Sequence, residues 1–236
     1  MKICLGMIAR PVESLLSVCL GPVISHFDGL IIFTGPDPKW VGDVSPLVHP
    51  PRWFTLQLYE WKHDYADARN ALIGRAESLG YDWMMTLDAD ESMLPDDLIT
   101  LRKYVELGAC DNIIVPRYEF VDDFDHYCPW FYPDWHARVF KLNAGYHYVG
   151  KVHETLVRGP SQVHAKDVPN SVKAAMCPVF HYGKSKPSSD VWLKHNTYDR
   201  LAGGLAPLNE LPPGTALPES WSLGYGKVRF LGNKPL

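Results

Sequence analysis

Residues 81–98 read YDWMMTLDADESMLPDDL, an apolar run that stops abruptly at Asp88, Asp90 and Glu91. Trp83 to Leu87 shows no polar alternation, the pattern of a strand covered on both faces. Pro95 followed by two aspartates is how a helix often begins. Clustered carboxylates repel one another and resist desolvation, so solvent, helix N–H groups or a cation must compensate them. Simple capping of the next helix accounts for one or two acids, not three. A calcium loop fails, because Met93 holds its glycine place and Ile99 its glutamate place. A D-x-D pair holding a divalent metal against a diphosphate remains, since two acids one residue apart can turn towards one hard cation.

The same alternation of strand and helix extends outward in both directions. Residues 2–8 form a first strand, and a short helix follows around Leu15 to Ile24. The run GLIIFTGPD (29–37) is a second strand ended by Gly35, Pro36 and Asp37. A proline-rich connection, 36–53, leads to a third strand, WFTLQLYEW. The segment DYADARNALIGRAESLGY predicts an amphipathic helix, capped by Asp64 and ended by Gly80. The helix PDDLITLRKYVEL and the strand NIIVPRYEF come after the acidic cluster. This order predicts an α/β fold with a mostly parallel, Rossmann-like sheet covered by helices. Ligands then bind outside the carboxyl ends of the strands, where Asp37 and the acidic cluster fall. The second half is less regular. DDFDHYCPWFYPDWH reads as an aromatic, proline-broken loop, and the residues after 200 as an irregular tail.

Composition narrows the function classes. Of 236 residues, 46% are hydrophobic and 21% charged, enough for a sizeable core in an ordinary globular protein. The net charge of −4 and the absence of a basic block give no case for a nucleic-acid partner. Five cysteines with no C-x-x-C pair argue against a disulfide scaffold and for reduced thiols in the cytoplasm. No apolar run reaches the roughly 18 residues that span a bilayer, so a membrane role would be peripheral.

HDYADARNALIGRAESLGYDWMMTLDADESMLPDDL resembles the glycosyltransferases of family 2, which have the GT-A fold. Its Asp64-Tyr-Ala-Asp-Ala-Arg69-Asn70 matches a family segment D-F-S-x-A-R-N, and Leu87 to Glu91 matches L-D-A-D-E. Val152-His153-Glu154 and His181-Tyr182-Gly183 look like the family's V-H-E and H-Y-G segments. The likeness covers roughly residues 2–200 and implies a single GT-A domain over 1–185. A nucleotide-binding half (about 1–98) precedes an acceptor half (about 99–185), and a C-terminal helix and tail occupy 186–236.

What the resemblance implies is sugar transfer from a UDP- or GDP-linked donor to an acceptor hydroxyl, with inversion and with Mn²⁺ or Mg²⁺. The acceptor class stays open among glycans, lipid-linked species, proteins and small molecules. The resemblance places Ala9, Arg10, Asp37, Arg69, Asp88 and Ala89 at the donor. Arg69 alternatively pairs with Asp64 or Asp67 on its own helix. The metal ligands are Asp90, His181 and Asp88, with His153 competing for the histidine place. Glu154 is the general base and Asp134 its rival; Glu154 could instead pair with Lys151 or Arg158. Trp130, Phe131, Tyr132 and Trp135 crowd one segment, and Trp130, Tyr132, Trp135 and His153 are candidate acceptor contacts. Aromatic faces suit sugar rings, although packing uses the same residues. Two rival functions are a HAD-like phosphatase with Asp88 as nucleophile and a non-catalytic nucleotide- or sugar-binding module.

Overall fold

The computed structural model describes residues 1–9, 15–35, 54–185, 196–197, 199–206 and 229–230. Arg10, Asp37 and the proline-rich connection lie outside the described residues, as does most of the C-terminal segment. The first half alternates as its sequence predicts: β1 (Ile3–Ala9), α1 (Leu16–Leu20), β2 (Gly29–Thr34), β3 (Phe54–Leu58), α2 (Tyr65–Ser78) and β4 (Trp83–Thr86). Then come a short β5 (Glu91–Ser92), α3 (Pro95–Leu107) and β6 (Asn112–Val121). Asp64 caps α2 by accepting from the Asp67 N–H at 2.9 Å. Pro95 opens α3, and Gly108 closes it in the left-handed region that favours glycine.

The second half corrects the sequence reading. The supposed aromatic loop holds β7 (His126–Tyr127), a 3₁₀ turn (Pro129–Phe131) and the start of β8 (Asp134–Lys141). Asp134 and Trp135 therefore sit on a strand, not in a loop. Pro133 lies just before that strand, a place where proline costs no ladder bond. A small antiparallel sheet follows, from β9 (Tyr146–Val149), β10 (Thr155–Arg158) and β11 (Val163–His164). β12 (Ser171–Lys173), β13 (Val179–Lys184) and β14 (Arg229–Phe230) complete the described strands. β14 pairs with β7, so part of the expected irregular tail is strand.

The main path of the large sheet runs β14-β7-β6-β8-β4-β1-β2-β3. β3, β2, β1 and β4 are mutually parallel, and β8 runs antiparallel to both β4 and β6. This is a mostly parallel α/β sheet of the GT-A-like Rossmann kind. Its two faces are separated by residue parity. Along β2, Leu30 and Ile32 pack with Leu16, Leu20, Leu98 and Leu101 of α1 and α3. Ile31 and Phe33 pack on the opposite face with Leu72, Ile73 and Ala76 of α2. Burial on both faces explains why these strands read as unbroken apolar runs. The chain steps outward from β1 to β2 and β3, then returns to place β4 on the other side of β1. That reversal opens a crevice at the carboxyl ends of β1 and β4, where such sheets bind ligands.

Candidate active site

The acidic cluster leaves β4 at this crevice, and its two halves face different partners. β5 pairs antiparallel with β13, setting Glu91 opposite His181. The Asp90 carbonyl accepts from the Tyr182 N–H at 2.8 Å. This docking brings His181 Nε2 to 3.5 Å from Asp90 Oδ1. The other ring nitrogen, Nδ1, lies 2.8 Å from Glu119 Oε2 on β6. Burial opposes a charge on His181, but Glu119 and Asp90 outweigh it and raise the imidazole to about 9. Gly183 keeps this corner open: a Cβ there would lie 2.5 Å from His181 Nε2 and 3.3 Å from Asp90 Oδ2.

Asp88 turns the other way. Its Oδ1 accepts from Arg69 Nη2 at 2.6 Å, and Arg69 Nε donates to Glu154 Oε1 at 2.5 Å. Arg69 thus pairs with neither Asp64 nor Asp67. It is 5% exposed and lies 5.4 Å over the Tyr148 ring. Burial alone would lower its pKa, but the two carboxylates hold it well above the ordinary value. Burial likewise disfavours the charged form of Asp88, and Arg69 and Arg138 overcome that and depress its carboxyl. The next residue, Asn70, grips the Tyr148 backbone both ways, at 2.7 and 2.9 Å. The Tyr65 N–H also donates to the Lys151 carbonyl at 2.9 Å. These contacts fix the β9–β10 turn, and with it Glu154, against α2. The consecutive Arg69-Asn70 therefore orients a carboxylate from another part of the chain.

Asp134 belongs to a third group. Its Oδ2 takes Arg117 Nη2 at 2.7 Å and His136 Nε2 at 2.8 Å. Burial would raise its pKa, but His136 and Arg117 hold it down at about 2. His136 is pushed down to about 4, chiefly by burial and further by Arg138 and Arg117. Glu91 is fully buried and paired with Arg138. Burial pushes its carboxyl up against the pull of that arginine. Arg117, Glu119, His136 and Arg138 were absent from the sequence-based site. A pattern did mark them. Asp134, His136 and Arg138 recur at every second position of β8, and Arg117 and Glu119 do so on β6, which puts each set on one strand face.

The remaining candidates are spread out. Ala9 ends β1 and Ala89 follows β4, and both are buried in the apolar core that packs under α1 and α3. Tyr132 stacks on Tyr118 with centroids 4.1 Å apart, and Trp135 lies under Lys173 Nζ at 5.2 Å. Trp130 is 72% exposed. His153 is exposed and adopts a positive φ of 53° in the turn before Glu154. All five cysteines are buried thiols outside any disulfide. No helix among the described residues is long and apolar enough to cross a membrane.

No protein-family model matches the chain. It is 25% identical over 152 residues to the SPbeta prophage-derived glycosyltransferase SunS of Bacillus subtilis, covering 63% of this chain and 33% of that protein. It is 31% identical over 106 residues to a TPR repeat-containing protein of Synechococcus elongatus, covering 44% of this chain and 24% of that protein. The chain thus spans a third or less of the length of these curated relatives. Among solved structures it resembles S. aureus TarS 1-349 in complex with UDP-GlcNAc, with a TM-score of 0.53 and 8% identity. That match covers 81% of this chain and 64% of that one. A second TarS structure gives a TM-score of 0.52 at 9% identity, covering 89% of this chain and 41% of that one. The two TarS matches establish a shared fold.

Proposed function

We propose that the protein is an inverting GT-A glycosyltransferase of the family 2 type, moving a sugar from a nucleoside diphosphate to an acceptor hydroxyl. One observation carries the reading. Beyond the end of β4, Arg69 joins Asp88 to Glu154, and His181 lies 3.5 Å from Asp90. The similarity to SunS and the fold shared with UDP-GlcNAc-bound TarS support glycosyl transfer in general.

Asp90 and His181 fit a divalent cation as a pair. Glu119 fixes the imidazole through Nδ1, which leaves Nε2 towards Asp90, as a metal-binding histidine requires. Asp88 is engaged by Arg69 and is no third ligand in this arrangement. Among the described residues no group of three or more His, Cys, Asp or Glu forms a metal cage. The imidazole and carboxylate would suit Mn²⁺, which accepts imidazole, or Mg²⁺. A cation held there would offset charge on the departing diphosphate.

The protein's own groups do the rest. Ala89 and Ala9 leave room for the nucleotide, and Asp88 faces its ribose. Glu154 takes the acceptor proton as the new bond forms opposite the leaving group. Asp134 is the poorer base, because two donors already hold its carboxylate. The donor is UDP- or GDP-linked, and the buried thiols suit a reducing compartment such as the cytoplasm. Incubation with UDP- and GDP-sugars and Mn²⁺ should release nucleoside diphosphate, and EDTA should stop it. Release of phosphate from simple esters instead would support the phosphatase. Nucleotide binding without any turnover would support a binding module.

A further inference from the structure

Glu154 faces a conflict that the distances make explicit. A general base must offer a lone pair to the acceptor hydroxyl. One of the two Glu154 carboxylate oxygens, Oε1, is already held by Arg69 Nε at 2.5 Å, which fixes the direction in which the carboxylate can act. The same guanidinium gives Nη2 to Asp88, so one planar group ties a donor-side acid to the base. Its third nitrogen, Nη1, is buried and has no hydrogen-bond partner among the described residues. A buried donor left unpaired is costly and calls for an occupant. The natural occupant of a guanidinium edge is an anionic oxygen held by two N–H groups at once. Here that edge is Nη1 with Nη2, and it borders Asp88 on the donor side.

We propose that Arg69 is a latch: it holds Glu154 while the crevice is empty and releases it when a diphosphate oxygen takes Nη1 and Nη2. This rests on the nucleotide-sugar reading. Arg69 acts through Glu154 and is therefore a positioning residue. A guanidinium is rigid, so turning its Nη edge to a phosphate carries Nε away from Glu154. The base is then freed only beside a bound donor, which limits its proton abstraction to productive complexes. Linkage makes the arrangement measurable. Whatever binding must break opposes binding, so removing the Arg69–Glu154 bond should favour the nucleotide.

The test is a UDP titration at fixed Mn²⁺ on four proteins: wild type, Glu154→Gln, Arg69→Met and the double variant. Glu154→Gln should tighten UDP roughly fivefold or more, in the usual range of coupling between sites. Loss of one negative charge near a diphosphate also tightens binding, and the Arg69→Met background isolates that general effect. There the same Glu154→Gln change should tighten UDP less than about twofold. Equal tightening in both backgrounds, or none in either, overturns the latch. If UDP binds none of the proteins, the nucleotide reading fails and the latch falls with it. Thermal melting of the same four proteins is then still expected to be non-additive, because it reads the empty bridge alone. Should Arg69→Met not fold, Arg69→Lys keeps the charge and cannot span both acids. It replaces Arg69→Met in the cycle under the same criteria.

Discussion

Replacing Asp90 by Asn keeps the side chain's shape and removes its charge. Asp90→Asn is expected to abolish metal-dependent turnover while leaving the melting temperature within a few degrees of wild type. Undiminished turnover without added metal would show that the acid serves only the local loop. At Glu154, Gln should lower transfer by roughly 10²–10⁴-fold, the usual loss for a general base, without weakening nucleotide binding. Asp134→Asn should cost far less, and the reverse order would mean that Asp134 is the base. His136 supports a prediction about pH. Its folded-state value of about 4 lies below the ordinary 6.5, and Asp134 at about 2 lies below 3.8. Both are depressed, so each contributes stability above its unfolded value and loses it as pH falls through the folded one. Melting temperature should therefore drop as pH falls from about 6.5 to 4, and again towards 2. His136→Gln keeps a donor for Asp134 but does not titrate, so it should flatten the first window only. An unchanged profile in this variant would remove His136 from the acid response.

At the scale of elements, the predictable ones were those with a single strong pattern. α2 combines a capping Asp64 with a regular apolar stripe, and α3 opens on a proline and closes at a left-handed Gly108. The run from Trp83 to Leu87 has no charge, and its one polar side chain, Thr86, is fully buried. β8 defeated the same logic because Pro133 and four aromatics precede or enter it. Its alternating Asp134, His136 and Arg138 also look exposed until Arg117 and Glu91 are seen against them. Charged side chains usually mean solvent, and here they mean buried pairing. The Asp90–His181 corner was legible only residue by residue. Asp90 and His181 stood out in sequence, whereas the Glu119 that orients the imidazole required the β6–β13 register. Gly183 on β13 gives this element a direct test. A methyl at Gly183 would meet His181 Nε2 and Asp90 Oδ2, and Glu119 keeps the ring from simply swinging aside. Gly183→Ala should weaken Mn²⁺ binding, measured by calorimetry, by at least about tenfold, the range seen when a ligand's support is disturbed. Equal Mn²⁺ affinity would place the cation elsewhere.

The strand order of the whole molecule reverses at β1 and β4, and Asp88 and Asp90 leave the sheet at that point. The first half supplies Asp88 and Asp90, and later segments bring Glu154 to Arg69 and His181 to Asp90. A bound donor and cation should therefore tie the two halves of the chain together. Mn²⁺ with UDP should raise the melting temperature by more than the sum of the shifts from either alone, because each completes the other's site. No shift at saturating concentrations of both would sink the nucleotide-sugar reading as a whole.

The reversed position of β8 carries a consequence for synthesis on the ribosome. β4 and β6 are made early, but the strand that joins them is residues 134–141 and emerges later. Until then β4 has β1 on one side and an open hydrogen-bonding edge on the other. A nascent chain stalled near residue 120 would present that edge, with Trp83, Met84 and Met85 beside it, to any passing strand or chaperone. Release of β8 closes the gap in one step, since it pairs with both neighbours. Cooperative docking is thus expected only after residue 141 has cleared the exit tunnel, and arrested chains on either side of that length should differ sharply in protease resistance.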